Sequence, residues 1–319
     1  MSDIVHVAVA VIVDQANMVC LSLRHTDAHQ GGLWEFPGGK VENNETIVQA
    51  LQREIKEELD IHIISSRSLI TIKHNYQDKS VCLHVYKILS YTGEATSKEG
   101  QQVKWVSIED LPGYDFPKAN AAILKSLQLP DKYLITGEFT DTNDFIQKLK
   151  RSLDVGITLV QIRLKHDSME DEANAQSLLG QAAILCESAG ARLMLNISAS
   201  LNASIDFSSF NFDGFHADSQ TLSKLSRRPH ATLFSASCHN NDELLKAVEL
   251  GADFVVLSPV QQTVSHPGMR GMGWVRFSNM IEGLTIPVYA LGGVSEDDME
   301  TAWANGAQGV SAISAFWGK

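Results

Sequence analysis

The chain has 319 residues, 44% of them hydrophobic and 20% charged, with 38 acidic against 26 basic side chains and a net charge of −12. That length predicts two domains, and that charge argues against a grip on a nucleic-acid polymer, which calls for clustered Lys and Arg, so a free small molecule is the expected ligand. No apolar run reaches membrane-spanning length and Met1-Ser2-Asp3-Ile4 lacks the basic start of a signal peptide, so no membrane partner and a cytoplasmic location are expected.

Along the first part, Val5 to Val13 and Val19 to Leu23 read as strands, and Thr46 to Leu59 has helical periodicity. Val81, Leu83 and Val85 alternate with polar residues as in a half-buried strand, and Val103 to Val106 is a further short strand. A helix from Ala121 to Leu127 closes this part, and Leu129-Pro130-Asp131 marks a boundary between domains at 1–129 and 132–319. The cysteines Cys20, Cys82, Cys186 and Cys238 are far apart with no C-x-x-C spacing, so reduced, structural thiols are expected, without a disulfide or zinc framework.

The densest signal lies between Phe36 and Leu59. On a helix, Glu54, Glu57 and Glu58 stand at i, i+3 and i+4, so three carboxylates share one face. A hard divalent cation would relieve their repulsion, and Mg²⁺ suits oxygen ligands and substrate phosphates; a solvated acidic helix is the plainer reading. The preceding Phe36-Pro37-Gly38-Gly39 turn favours the metal, because glycine lets the backbone approach a ligand and leaves carbonyls free.

This segment resembles the Nudix box, with Gly39, Glu45, Arg53, Glu54, Ile55, Glu57, Glu58 and Ile61 at its fixed positions and Asp60 where the family carries glycine. That glycine follows the helix where a left-handed conformation is common, and Asp is among the residues that tolerate it. Arg24, Asp27-Ala28-His29, Trp34-Glu35-Phe36, Lys98-Glu99-Gly100-Gln101 and Asp115-Phe116-Pro117-Lys118-Ala119-Asn120 narrow the resemblance to MutT-type enzymes, which hydrolyse 8-oxo-dGTP to the monophosphate and pyrophosphate. The resemblance implies an α/β/α sandwich with a mixed sheet and a metal site of Glu54, Glu57, Glu58 and Glu99 with the Gly38 carbonyl. It also implies Arg24, Phe36 and Asn120 on the nucleotide, Mg²⁺ as cofactor with Mn²⁺ as the alternative, and Glu54, Glu57 and Glu99 as catalytic groups, with Glu54 or Glu99 as the base. Arg53, held by Glu45, reads as orienting the box carboxylates; Phe36 reads equally as core, and a helix cap is the alternative for Asn120, whose neighbours favour the base-reading role.

The second part changes texture to eight short apolar runs, Tyr133 to Thr136, Thr158 to Ile162, Leu193 to Ile197, Gly214 to His216, Thr232 to Ala236, Phe254 to Leu257, Val288 to Leu291 and Gly309 to Ile313. Helix-length intervals such as Glu170 to Ala189 and Asp242 to Leu250 separate them, which predicts a (β/α)8 TIM barrel, with an open doubly wound sheet as the alternative. Gln161, Arg163 and Lys165 alternate and so point one way, suiting an anionic ligand. Gly292-Gly293 after the seventh run and Ile313-Ser314 after the eighth lie where such barrels place phosphate.

Gln161 to Lys165, Asp213 to His216, Ser237-Cys238-His239, Gly251 to Asp253, Ser258-Pro259, Gly292-Gly293 and Ser311 to Ser314 resemble the thiamine phosphate synthase and TenI family. That likeness implies a thiamine-precursor phosphate as ligand. Asn196-Ile197-Ser198 and Thr221 replace the synthases' metal carboxylates, and Thr263-Val264-Ser265-His266 departs from their phosphate loop, so synthase turnover is not expected. His239 matches the acid-base histidine of thiazole tautomerases and reads otherwise as a solvated residue before a helix.

The combined expectation is a Mg²⁺-dependent 8-oxo-dGTP pyrophosphohydrolase joined to a thiamine-synthase-like barrel. The rival readings are a thiamine-related pyrophosphatase with a tautomerase barrel, or a ligand-sensing C-terminal module.

Overall fold

The structure, a computed structural model, describes residues 4–27, 30–76, 79–164, 172–197, 205–263, 268 and 270–318. The chain divides into two compact units, Met1–Gln128 with Ile281–Pro287, and Leu129–Met280 with Val288–Lys319.

The first unit is built on two sheets. Strands β1 (Val5–Ile12), β4 (Gly38–Lys40), β5 (His62–Asn75) and β6 (Ser80–Thr92) form one in the order β4-β1-β6-β5, while β2 (Met18–Leu23), β3 (Trp34–Glu35) and β7 (Val103–Ser107) form the other in the order β3-β2-β7. The first sheet is mixed, because β1 runs parallel to β6 and antiparallel to β4. Alternation along β1 divides the core between its faces. Ala8, Ala10 and Ile12 meet Leu51, Ile55 and Leu59 of α1 (Ile47–Leu59), and Val9 and Val11 meet Phe36 with Ala122 and Ile123 of α2 (Ala121–Leu127).

The small Ala8 and Ala10 side chains let α1 lie close to the sheet. Thr46 starts that helix with a capping box, its hydroxyl accepting from the Gln49 N–H while the Gln49 side chain accepts from the Thr46 N–H. At the other end Asp60 takes the left-handed conformation, with φ 59°, as expected where the family has glycine, and its carboxylate pairs with Lys56 and Lys98.

Strand β5 has no counterpart among the sequence expectations. Its sequence, HIISSRSLITIKHN, mixes Ser, Arg, Lys and His into the apolar set, and three register shifts against β6 break the period-two pattern.

The second unit is a closed barrel of eight parallel strands in the order β10-β11-β12-β13-β14-β15-β8-β9. They are β8 (Lys132–Ile135), β9 (Leu159–Leu164), β10 (Arg192–Ile197), β11 (Gly214–Ala217), β12 (Leu233–Cys238), β13 (Phe254–Leu257), β14 (Val288–Leu291) and β15 (Gly309–Ala312). Closure by the β9–β10 ladder excludes the open doubly wound alternative. Helices α3 (Thr142–Asp154), α4 (Glu172–Ser188), α5 (Ser219–Lys224), α6 (Asn241–Glu249), α7 (Trp274–Ile281) and α8 (Met299–Ala304) lie between strands. Tyr133, Leu159, Met194, Phe254 and Tyr289 fill the interior, with Tyr133 and Phe254 edge to face at 5.3 Å.

Ile55 is fully buried between α1 and the sheet. Ile55→Ala is expected to lower the stability of the first unit by about 2–5 kcal/mol, read as a shift in its denaturation midpoint in urea.

Candidate functional site

Helix α1 and strand β4 together build the first site. Gly38 has φ 145° and its N–H donates to Glu58 Oε2 at 3.1 Å. A Cβ on Gly38 would lie 2.1 Å from the Ala8 carbonyl oxygen, and one on Gly39 would lie 2.2 Å from the Glu54 carboxyl carbon. Both glycines are therefore required for the strand to pass between β1 and the acidic helix face.

Arg53 organises that face. Its guanidinium donates to Glu45 at 2.7 and 3.2 Å, to Glu54 at 2.9 Å, to Glu57 at 3.1 Å and to the Lys40 carbonyl at 3.1 Å. Burial pushes the Glu58 carboxyl up to about 8, with repulsion from Glu35, Glu54 and Glu99 adding to it and the Gly38 N–H opposing. Glu54 is raised by the same two effects, burial first and then Glu57 and Glu99, against the pull of Arg53. The loop carrying Glu99 reaches the site because the Lys98 N–H donates to the Glu58 carbonyl at 2.9 Å and the Thr96 N–H to the Leu59 carbonyl at 3.0 Å.

Glu54, Glu58 and Glu99 are thus close enough to repel one another, while Glu57 is more than half exposed and turned to Arg53. Among the described residues, no three of these carboxylates have oxygens all within 4.8 Å of one another. Partly buried oxygen donors whose charge is penalised by burial and by each other fit a hard dication such as Mg²⁺.

A cavity of about 280 Å³ opens beside Gly38 and Gly39. Arg24, Phe36 and Asn120, predicted to face a ligand, all line it. Phe36 is at once core and wall, 2% exposed and stacked on Phe116 at 5.6 Å. Asn120 is buried, yet makes no side-chain cap to α2, so the capping alternative does not hold. Sequence reasoning gave no role to Glu35, Tyr76 or Lys79, which also line the cavity. Glu35, ion-paired to Arg24, sits inside the motif quoted for the family, whereas Tyr76 and Lys79 lie around the β5–β6 turn and left no signal.

In the barrel, Leu159 and Gln161 face the interior, and the strand's alternation puts Arg163 on the same face. Gln161 is engaged there, its Oε1 accepting from the Tyr133 hydroxyl at 3.0 Å, while Lys165 lies outside the described residues. His216, quoted only within a motif, is the centre of the interior polar network. Its Nδ1 is 2.8 Å from Ser235 Oγ and its Nε2 is 2.8 Å from Ser237 Oγ. Burial holds its imidazole down at about 3.

His239 is exposed and its Nδ1 meets Glu243 at 3.0 Å, where Asn240 caps α6 through the Glu243 N–H. Gly292 and Gly293 have φ of 96° and 70°, and Cβ atoms there would lie 2.8 Å from Pro259 and 2.5 Å from the Gln262 carbonyl. These glycines therefore admit the 259–262 loop to the end of β14. Ser314 is exposed in the turn after β15. The structure does not draw His239 into a contact with Gln161 or Arg163.

Comparison with known proteins places both units. The NUDIX domain family model matches residues 8–126 and that for thiamine monophosphate synthase matches residues 132–316. The first unit is 41% identical over 95 residues to an 8-oxo-dGTP diphosphatase of Proteus vulgaris, covering 30% of this chain and 85% of that protein. It is also 34% identical over 122 residues to the 8-oxo-dGTP diphosphatase of Escherichia coli strain K12, covering 38% and 95%. The second unit is 31% identical over 188 residues to a thiamine-phosphate synthase of Geobacillus kaustophilus, covering 58% and 83%. The first unit is a hydrolase of phosphoanhydride bonds and the second an α/β barrel. The chain belongs to the Nudix family over its first unit and to the thiamine monophosphate synthase family over its second.

The native His216 pKa lies below the ordinary 6.5, so the unfolded chain takes up a proton that the native barrel refuses. The neutral imidazole's contribution to stability is complete above pH 6.5 and is lost as pH falls towards 3, at about 1.4 kcal/mol per pH unit. The stability of the barrel is expected to fall as pH drops from 6.5 towards 4, read as a denaturation midpoint, and to fall less steeply in His216→Asn.

Proposed function

We propose that the first unit is a Mg²⁺-dependent pyrophosphohydrolase acting on 8-oxo-dGTP, releasing 8-oxo-dGMP and pyrophosphate and so cleansing the nucleotide pool. The observation that carries this reading is the convergence of Arg24, Phe36 and Asn120 on one base-sized cavity that ends at Gly38 and Gly39, beside the carboxylates of α1. The same activity in relatives that this chain covers almost end to end supports it.

Glu54, Glu57, Glu58 and Glu99 with the Gly38 carbonyl would hold the metal, and Mg²⁺ when bound supplies charge neutralisation on the phosphates and lowers the pKa of water. The remaining work falls to the chain itself. Asn120 presents an amide that can both donate to and accept from a purine edge. Phe36, backed by the stacked Phe116 ring, gives the cavity an apolar flank against the base. Arg24, fixed by Glu35, brings a cation to the cavity wall. Arg53 holds Glu54 and Glu57 in place, leaving Glu54 or Glu99 to accept the proton of the attacking water. The cavity holds Asn120 and Arg24 where a pyrimidine-thiazole ligand has little use for them, which favours the nucleotide over a thiamine-related pyrophosphate.

The test is pyrophosphate release with Mg²⁺ from 8-oxo-dGTP and dGTP, with phosphate release from thiamine pyrophosphate in parallel. A strong preference for 8-oxo-dGTP is expected. Glu57→Gln is expected to keep the fold and lose on the order of a hundredfold or more in kcat, and Asn120→Ala to lose about tenfold or more of the preference over dGTP. Near-normal turnover in Glu57→Gln, or preference for the thiamine compound, would overturn the reading.

For the barrel we infer binding of a thiazole or thiamine phosphate without synthase turnover. Arg163 on the inward face supports an anionic ligand, and Ile197 and Thr221 stand where the synthases resembled carry carboxylates. Calorimetric titration is expected to show heat with thiamine phosphate that is lost in Arg163→Ala. Silence of the unaltered protein with both ligands would leave the barrel without this role.

A further inference from the structure

Outside the acidic site, one cluster of metal-ligating side chains is assembled by strand pairing alone. In the β1–β6 ladder His6 lies opposite Cys82 and Ala8 opposite His84. Partners in register share a face, as do residues two apart, so His6, Cys82 and His84 project from the same side of the sheet. Their ligand atoms all lie within 4.8 Å of one another, the one such group of three among the described residues. His6 Nδ1 and His84 Nε2 are 2.9 Å apart and the rings stack at 5.2 Å with an interplanar angle of 15°.

We propose that His6, Cys82 and His84 form a second metal site, for a borderline transition-metal dication of which Zn²⁺ is the natural occupant. Two imidazoles and a thiolate are the donors such an ion prefers, whereas Mg²⁺ takes oxygen. The two sites therefore sort their metals by donor chemistry within one unit. Tetrahedral Zn²⁺ with Zn–N near 2.0–2.1 Å sets its nitrogen ligands about 3.3 Å apart, so the two rings need to part by only a few tenths of an ångström. At present one ring must give a proton to the other, and a metal would take the place of that shared proton.

The surroundings are consistent with this occupant. Cys82 is 2% exposed and His84 partly buried, while His6 is exposed and opens the site to solvent, which supplies an entry path and a fourth ligand. The ordinary cost of the site is the deprotonation of Cys82, whose thiol burial holds up. Lys73, opposite Cys82 in the β5–β6 ladder, is a nearby cation this arrangement must tolerate, and its charge is paired with Glu282 of the same unit at 2.8 Å. Such an ion would tie β1 to β6, two strands far apart in the unit's sequence, so it would stabilise the fold by mass action.

The test uses the untagged full chain, with Mg²⁺ in excess to saturate the acidic site, titrated with Co²⁺ as a spectroscopic substitute for Zn²⁺. A thiolate-to-cobalt charge-transfer band that saturates at one ion per chain and is displaced by Zn²⁺ is expected. The band should vanish in Cys82→Ser, and His6→Gln, an exposed position with little consequence for folding, should weaken Co²⁺ binding at least about tenfold. Zn²⁺ should also raise the Tm of the unaltered chain more than that of His6→Gln. No band, or a band indifferent to both substitutions, would overturn the site. A band kept in Cys82→Ser and lost in a variant of Cys20, Cys186 or Cys238 would do so equally.

Discussion

Four carboxylates and one guanidinium set the architecture of the first unit. Without Arg53, Glu54 and Glu57 would lose the cation that both of them bind. With it, Glu54 and Glu57 are drawn to one side and Glu45 anchors the guanidinium from the loop before the helix. Glu58 is left to the Gly38 N–H and to its own burial. The ion-pair network is partly buried, with only Glu57 exposed among its members, and it holds Glu54 beside Glu58 and Glu99 despite their repulsion. The glycine strand belongs to the same constraint, because any side chain at Gly39 would occupy the space of the Glu54 carboxyl.

The barrel answers a different problem. Eight strands enclose an interior that must be filled, and here it holds Tyr133, Gln161, His216, Ser235 and Ser237 together with aromatic rings. A polar layer of this kind is tolerable only when its groups are paired. His216 meets that condition with a serine at each nitrogen, and its burial keeps it neutral far below the ordinary range.

Most of the fold was legible because its strands follow simple rules. All eight barrel strands announced themselves as short apolar runs, and α1 by its periodicity. Strand β5 escaped notice because a bulged strand with solvent on one side does not alternate cleanly. At the site, the carboxylates and glycines were visible in sequence through their fixed spacing, and Arg24, Phe36 and Asn120 through the family's motifs. Tyr76 and Lys79 were not, since a position beside a turn acquires meaning only when the turn is placed over the cavity. The grouping of His6 with Cys82 and His84 was equally hidden, because it depends on the register of a parallel ladder between strands far apart in the chain.

Asp60 shows how a departure from a family pattern can change the behaviour of a neighbouring segment. In place of a glycine that merely turns the chain, this position holds a carboxylate that clasps Lys56 on the helix and Lys98 on the following loop. Together with the backbone bonds from Thr96 and Lys98 to the last carbonyls of α1, it fastens the Glu99 loop before any ligand arrives. The entropy of ordering that loop is then spent during folding and does not recur at each binding event, so arrival of a substrate meets a wall already standing.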